Sequence, residues 1–214
     1  MTIGIIGSGA LGSNLAKAFA RNGVKATIAT RKGPGSLTAL IAETGPNITA
    51  GTVAEAAAAD IVFAAIRWED AERVLAAFPA WNGRIVVDAT NPVAFLDPDS
   101  EDARDPTNPL AAYGIKAIDL DDRHSSDVFR GFVPGARVVK AFNHLDVQVL
   151  TEPELNGGQR VLFYSGDDAD AKAEIRGLIE TLGFFPADLG SLDVGGVLAS
   201  LPFGALSSIN FVKV

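Results

Sequence analysis

An α/β protein of Rossmann type, a doubly wound parallel sheet with a small C-terminal α/β lobe, is the fold that this 214-residue sequence predicts. Three observations lead there. Short apolar, β-branched runs alternate with helical patterns, the order that builds a parallel sheet covered on both faces. A glycine-rich turn joins the first such run to the first helical pattern. Hydrophobic residues make up 48% of the chain, enough for a substantial core, yet no apolar run approaches the roughly 18 residues of a membrane span.

Taken in order, residues 2–7 contain Ile3, Ile5 and Ile6 and suit a buried parallel strand. Over 10–21, Leu11, Leu15, Ala18 and Phe19 fall at i, i+4, i+7 and i+8, one face of a helix. Asn22-Gly23 stops it, and a second strand follows over 25–30. Ser36 is a candidate cap for a helix through Glu43. Thr52 with Glu55 reads as a capping box for a short alanine-rich helix. A buried strand over 60–66 leads to a helix over 68–78, with Glu69 and Asp70 in the first turn where the helix dipole favours them. Strand 84–88 precedes a Pro- and Asp-rich excursion over 91–122. Ser125 or Ser126 can cap a helix to Phe132, and a strand runs over 137–142. A second unit then begins, with strand 161–165, helix 168–182, strand 185–188 and a tail from Val194 that combines a helix with loops. The expected division is 1–145 and 146–214, or one structural unit spanning both.

The net charge of −8, from 18 Lys+Arg and 26 Asp+Glu, argues against a nucleic-acid surface. The charge is unevenly spread. Up to Ala42 there are five bases (Lys17, Arg21, Lys25, Arg31, Lys32) and no acid, whereas 97–122 holds eight acids against Arg104 and Lys116. With no cysteine, disulfides, thiolate chemistry and cysteine metal sites are excluded. The first residues lack the basic region of a secretory signal, so a cytoplasmic protein with no membrane partner is expected.

Gly7-Ser8-Gly9-Ala10-Leu11-Gly12 is G-x-G-x-x-G. The spacing alone is a weak signal; between a strand and a helix it has the context of a dinucleotide-binding turn. Gly7 permits the tight turn, Gly9 lets backbone approach a pyrophosphate, and Gly12 lets the helix pack close to the strand. The helix N-terminus offers free N–H groups to phosphate. NAD binders place an acid about 20 residues beyond the glycines to hold the ribose 2′-hydroxyl. Here Thr30-Arg31-Lys32 stands at that place and no acid occurs before Glu43. Arg31 can grip a 2′-phosphate with paired hydrogen bonds, helped by the Thr30 hydroxyl and the Lys32 charge, so NADP (NADPH) is the expected cofactor. The ends of later strands, Ala65-Ile66-Arg67 and Ala89-Thr90-Asn91, line the ligand crevice of such a sheet. Small alanines leave room there, and Asn91 can bond the ribose or carboxamide. Trp68 is at least as well explained by core packing.

Gly7 to Gly12, Thr30-Arg31-Lys32, Asp88-Ala89-Thr90-Asn91-Pro92, Val138 to Asn143 and Gly166-Asp167-Asp168 together resemble the coenzyme F420:NADP oxidoreductase family, to which the reductase domain of the STEAP metalloreductases is related. The resemblance spans nearly the whole chain. It implies a Rossmann domain that binds NADP, a small C-terminal lobe that closes the site, and direct hydride transfer between the nicotinamide and a planar acceptor such as F420 or a flavin. By position it places Gly7, Ser8, Gly9, Ala10, Leu11 and Gly12 at the pyrophosphate, and Thr30, Arg31 and Lys32 at the 2′-phosphate. Ala65, Ile66, Ala89 and Asn91 would border ribose and nicotinamide, and Ala141 to Asn143 would floor the acceptor site. Arg67 joins the set at the end of its strand, and a homodimer is the expected assembly. Three departures fall on the acceptor side: His144 where a Thr is expected, a longer excursion over 93–122, and a tail 201–206 without the Glu-Pro-type motif of relatives.

His144 follows a strand's carboxyl end and is the candidate catalytic group, able to give a proton or hydrogen bond to the reduced acceptor; a histidine bonded to backbone is the plainer alternative. Asp119, Asp121, Asp122 and His124 are not fixed on one face and read as solvated, so no metal is expected. Lys140 sits within a strand and reads as structural. A non-catalytic NADP(H)-binding module that senses the redox ratio is the competing function, and it calls for an apolar lid, such as 203–211, folded over the nicotinamide.

Overall fold

The computed structural model describes residues 1–78 and 80–214. Strands and helices alternate through β1 (Ile3–Ile6), α1 (Ala10–Arg21), β2 (Ala26–Ala29), α2 (Thr38–Thr44), β3 (Ile48–Gly51), α3 (Val53–Ala57), β4 (Ile61–Ala64), α4 (Trp68–Leu75) and β5 (Ile85–Asp88). A hairpin of β6 (Val93–Phe95) and β7 (Ile115–Ala117) brackets the excursion. Then come α5 (Ser125–Phe132), β8 (Arg137–Ala141), β9 (Glu154–Leu155), β10 (Gly158–Gly166), α6 (Ala169–Thr181), β11 (Phe185–Asp188), α7 (Gly195–Leu198) and β12 (Val212–Lys213).

The central order β3-β2-β1-β4-β5-β8 is parallel throughout. This is the doubly wound arrangement, in which the carboxyl ends of the strands form one edge where ligands sit. β10 adds to β8 antiparallel, β11 adds to β10 in parallel, and β9 and β12 pair with the start of β10. Residues after 146 therefore extend the same sheet.

Alternation along each central strand divides the core between two faces. Ile3, Ile5, Phe63, Ile85 and Val87 pack with Leu15 and Phe19 of α1 and Ile175 and Ile179 of α6. Ile6, Val62, Val86 and Val138 face the other way, against Trp68 and Leu75 of α4 and Phe129 of α5. Each such buried side chain contributes roughly 1.5–3 kcal/mol by leaving water. Trp68 is a core residue, edge-on to Phe132. Two close approaches set the layers. A Cβ on Gly4 would lie 2.0 Å from the Ala56 carbonyl, and one on Gly12 would lie 1.9 Å from the Gly7 carbonyl.

The structure differs from the sequence reading in several elements. β3 is an additional strand: four residues at the sheet's edge, paired only with β2, too short and too polar for alternation to register. Ser36 does not cap a helix. Pro34–Leu37 forms a 3₁₀ turn in which the Ser36 hydroxyl donates to the Gly33 carbonyl at 2.7 Å, and α2 begins at Thr38. The helix expected over 68–78 stops at Leu75, and Phe78 turns back edge-on to Trp81. Ser125 and Ser126 lie inside α5, and His124 occupies the cap position without a side-chain bond. The capping box of α3 is present as read, with Thr52 and Glu55 satisfying each other's backbone N–H.

One residue type makes opposite demands at two places. Gly12→Ala must push α1 away from the turn and is expected to destabilise the fold by about 1–3 kcal/mol. Gly177→Ala on α6, where the new methyl meets nothing within 4 Å, is expected to stabilise by about 0.5–1 kcal/mol. Urea unfolding of the two variants measures both, and equal signs would refute the close-approach account.

Candidate functional site

β1 delivers the chain to Gly7, whose φ of +111° belongs to the region that favours glycine. A Cβ there would lie 2.1 Å from the Ala65 carbonyl. Gly7 N–H donates to the Ala29 carbonyl at 2.9 Å, which ties the turn to the end of β2. Gly9 caps α1 with its backbone alone: no side chain bonds the helix N-terminus and no acid sits in its first turn. Nothing lies within 4 Å of a Cβ on Gly9, so the backbone is open on that side. An uncapped N-terminus of a 12-residue helix next to open backbone is what a bound phosphate group requires.

This turn forms one wall of a cavity of about 250 Å³ at the carboxyl edge of the sheet. Gly7, Ser8 and Gly9 come from the turn, Thr30 and Arg31 from the end of β2, and Ala65, Ile66 and Arg67 from the end of β4. All eight belong to the set read from sequence. Ile6, Val53, Asp70 and Val74 complete the lining and were not in that set. Asp70 had a visible signal, an acid in the first turn of α4, but its partner lies across the fold. Arg31 Nη1 stands 3.4 Å from Asp70 Oδ1, and Arg73 pairs with the same oxygen. Exposed pairs of this kind are worth about 0–1 kcal/mol, so Arg31 is easily transferred to a stronger anion. The Arg67 guanidinium lies 4.9 Å from the centroid of the Phe95 ring, which joins this cavity to the β6–β7 hairpin.

The remaining residues of the set lie elsewhere. Ala10 and Leu11 are in the first turn of α1, Gly12 is buried beneath the turn, and Lys32 is exposed outside the lining. Ala89 and Ala141 are buried in the core on the α1 side. Asn91 and Asn143 form a knot. Asn91 Nδ2 donates to the Asn143 carbonyl at 2.7 Å, while Asn91 Oδ1 accepts from Asn143 Nδ2 at 3.0 Å and from the Leu201 N–H at 3.0 Å. Asn143 Nδ2 also donates to the Ala199 carbonyl at 3.0 Å. The two carboxamides thus bind the ends of β5 and β8 to the C-terminal tail, a use for Asn91 other than bonding ribose.

Beneath the knot, Lys140 Nζ lies 2.8 Å from Asp88 Oδ2 and 3.0 Å from the Thr90 carbonyl. Asp88 Oδ1 accepts from the Thr90 N–H and hydroxyl. Phe142 then takes a left-handed φ of +64°, which turns the chain inward at the end of β8. His144 is consequently buried, 1% exposed. Its Nε2 accepts from the Phe163 N–H at 3.0 Å, so the neutral ring carries its proton on Nδ1, which has no partner among the described residues. Burial pushes its pKa down to about 4. His144 lines neither this cavity nor a second one between the excursion and the tail. The geometry assigns it to holding β10 against the knot. His124 is exposed at the rim of the second cavity.

Residues 2–92 match the family model described as NADP oxidoreductase, coenzyme F420-dependent. The chain is similar to the metalloreductase STEAP3 of Rattus norvegicus, at 26% identity over 209 residues; these are 96% of the chain but 37% of that protein, so the chain spans about a third of its length. Among solved structures it resembles the hypothetical protein SMa0349 from Sinorhizobium meliloti, with 36% identity, a TM-score of 0.86 and coverage of 100% of this chain and 97% of that one. A protein of Arthrobacter sp. FB24 provisionally described as an F420-dependent NADP-reductase shares 28% identity, with a TM-score of 0.68 over 90% of this chain and 86% of that one. A reductive aminase from Aspergillus terreus in complex with NADPH and ethyl-5-oxohexanoate shares the fold, with a TM-score of 0.60 at 22% identity over 94% of this chain and 57% of that one.

The buried imidazole gives stability a pH dependence. Unfolded His144 takes up a proton near pH 6.5, whereas folded His144 resists until about 4. The unfolded state thus binds more protons in between, and stability falls as pH drops through that window, by on the order of 3 kcal/mol when complete. His144→Gln flattens this slope between pH 6.5 and 5.5, above the range in which most carboxylates titrate. Urea midpoints across the window measure it; an unchanged slope would show that the imidazole is not the group responsible.

Proposed function

We propose that this chain, whose residues 2–92 match the model of the coenzyme F420-dependent NADP oxidoreductases, is an oxidoreductase that moves a hydride between NADP(H) and a flat acceptor of the deazaflavin or flavin kind. The observation that carries this reading is the meeting, in one cavity, of the open Gly9 backbone at the uncapped start of α1 with Arg31 at the end of β2. Bound NADPH supplies the hydride. The first-turn N–H groups of α1 suit its pyrophosphate. Arg31, exchanged from Asp70, suits the 2′-phosphate, with the Thr30 hydroxyl beside it and Lys32 as a further charge from the rim. Ala65 and Ile66 bound the space towards the nicotinamide end.

No side chain is needed as an acid or base, because transfer between two stacked rings is governed by their orientation. The neutral, sealed state of His144 fits that division of labour: it positions backbone, and the proton that accompanies reduction of the acceptor comes from water. A redox-sensing module without turnover would hold an apolar lid over the nicotinamide. Phe203 and Phe211 stand exposed instead, at 73% and 41%, which favours the oxidoreductase.

Arg31→Ala is expected to weaken NADPH binding at least about tenfold, the loss of one or two charge-assisted hydrogen bonds, and to leave NADH binding nearly unchanged. Fluorescence titration with both nucleotides measures this, and equal losses would remove Arg31 from the 2′-phosphate. NADPH consumption is expected with a flavin or deazaflavin. Tight NADPH binding with no turnover on any planar acceptor would favour the sensing module.

A further inference from the structure

The second cavity has about 560 Å³ of space, within the range of small-molecule sites. Its position connects it to the dinucleotide cleft. Pro92, the residue after the Asn91 knot, lines it, as does Ala117 at the end of β7. The β6–β7 hairpin is therefore a shared wall: Phe95 meets Arg67 of the first cavity, while Ala117 and Ile118 face the second. The opposite wall is the tail around Leu201 and Phe203, held to β5 through Asn91.

The lining is largely apolar, with Ile118, Leu120, Val197 and Leu201 among it. Phe203, 73% exposed, presents an aromatic face at the mouth. Its charges are mainly negative. Asp119 and Asp122 line it at the end of the acidic excursion. Arg123 also lines it, and its Nε is engaged with the Leu120 carbonyl at 3.2 Å. Lys116 is paired with Asp102 at 3.6 Å. The start of α5 points a helix N-terminus this way, but Asp127 in its first turn offsets the positive end.

We propose that this cavity seats the hydride acceptor and selects, among flat redox rings, an uncharged molecule over one that carries phosphate or carboxylate groups. The inference rests on the oxidoreductase reading and narrows it. The apolar walls and Phe203 favour a ring by burial and stacking, and the carboxylates of Asp119 and Asp122 repel an anionic substituent. Asp119 and Asp122, at the end of the acidic excursion, thereby act as a charge filter on the second substrate.

Lumiflavin and FMN share one ring system and differ in the phosphate-bearing chain, so they separate ring recognition from charge. Quenching of flavin fluorescence by the purified protein at low ionic strength reads binding without turnover. Lumiflavin is expected to bind about tenfold more tightly than FMN. In the Asp119→Asn, Asp122→Asn double variant, whose amides keep the turn's hydrogen-bond acceptors, the difference is expected to shrink to about threefold or less. Phe203→Ala is expected to weaken lumiflavin about fivefold or more, in line with loss of a stacking face, while NADPH affinity is unchanged. FMN binding as tightly as lumiflavin, absence of binding by both flavins, or an unaltered preference in the double variant would each overturn the proposal and leave the oxidoreductase reading standing if NADPH still binds. Failure to bind NADPH in the same preparation would overturn that reading, and this one with it.

Discussion

Lys140 and Asp88 stand directly opposite each other in the parallel ladder of β8 and β5, with their charges 2.8 Å apart and neither side chain exposed. Removing two such ions from water costs several kcal/mol each, and only close geometry with further hydrogen bonds offsets that loss. Here the further bonds are to Thr90: its carbonyl accepts from the ammonium, and its N–H and hydroxyl donate to the carboxylate. The pair therefore fixes the turn that leaves β5. On that turn sits Asn91, and through Asn91 the end of β8 and the C-terminal tail are joined. The part of the second cavity's wall formed by Pro92 and Leu201 traces back to this one buried contact.

The two cavities differ in physical character, and the difference follows the chain's charge. The first combines backbone donors with Arg31 and Arg67 against one acid, Asp70, which is already paired with Arg31. It suits a polyanion. The second is apolar with carboxylates near its mouth and suits a neutral ring. As proposed, the net charge of −8 divides into an anion site at one end of the sheet edge and an anion-repelling site at the other. Between them stands a hairpin that touches both.

Legibility in the sequence tracked how local each cause is. The glycine-rich turn could be read because its constraints lie within six residues: a positive φ at Gly7, open space at Gly9 and a close approach at Gly12. Arg31 could be placed in the lining because it follows closely on the end of β2. The Asn91–Asn143 knot joins residues 52 apart, and the bond from Leu201 spans 110; no periodicity reports such contacts. His144 shows the same limit. Its position after β8 suggested a ligand-facing group, but the left-handed turn at Phe142 sends it inward, and side-chain direction after such a turn is not written in spacing. β3 escaped for a different reason, since a four-residue edge strand buries too little on one face to impose a pattern.

As proposed, one sheet edge holds a dinucleotide in the first cavity with its nicotinamide end directed to the second. A crystal structure of the protein with NADP⁺ measures this most directly. The expected result is the pyrophosphate on the first-turn N–H groups of α1, Arg31 moved from Asp70 onto the 2′-phosphate, and the nicotinamide beside the β6–β7 hairpin with a free face towards Phe203. A 2′-phosphate bound away from Arg31, or a nicotinamide turned away from the hairpin into solvent, would contradict it.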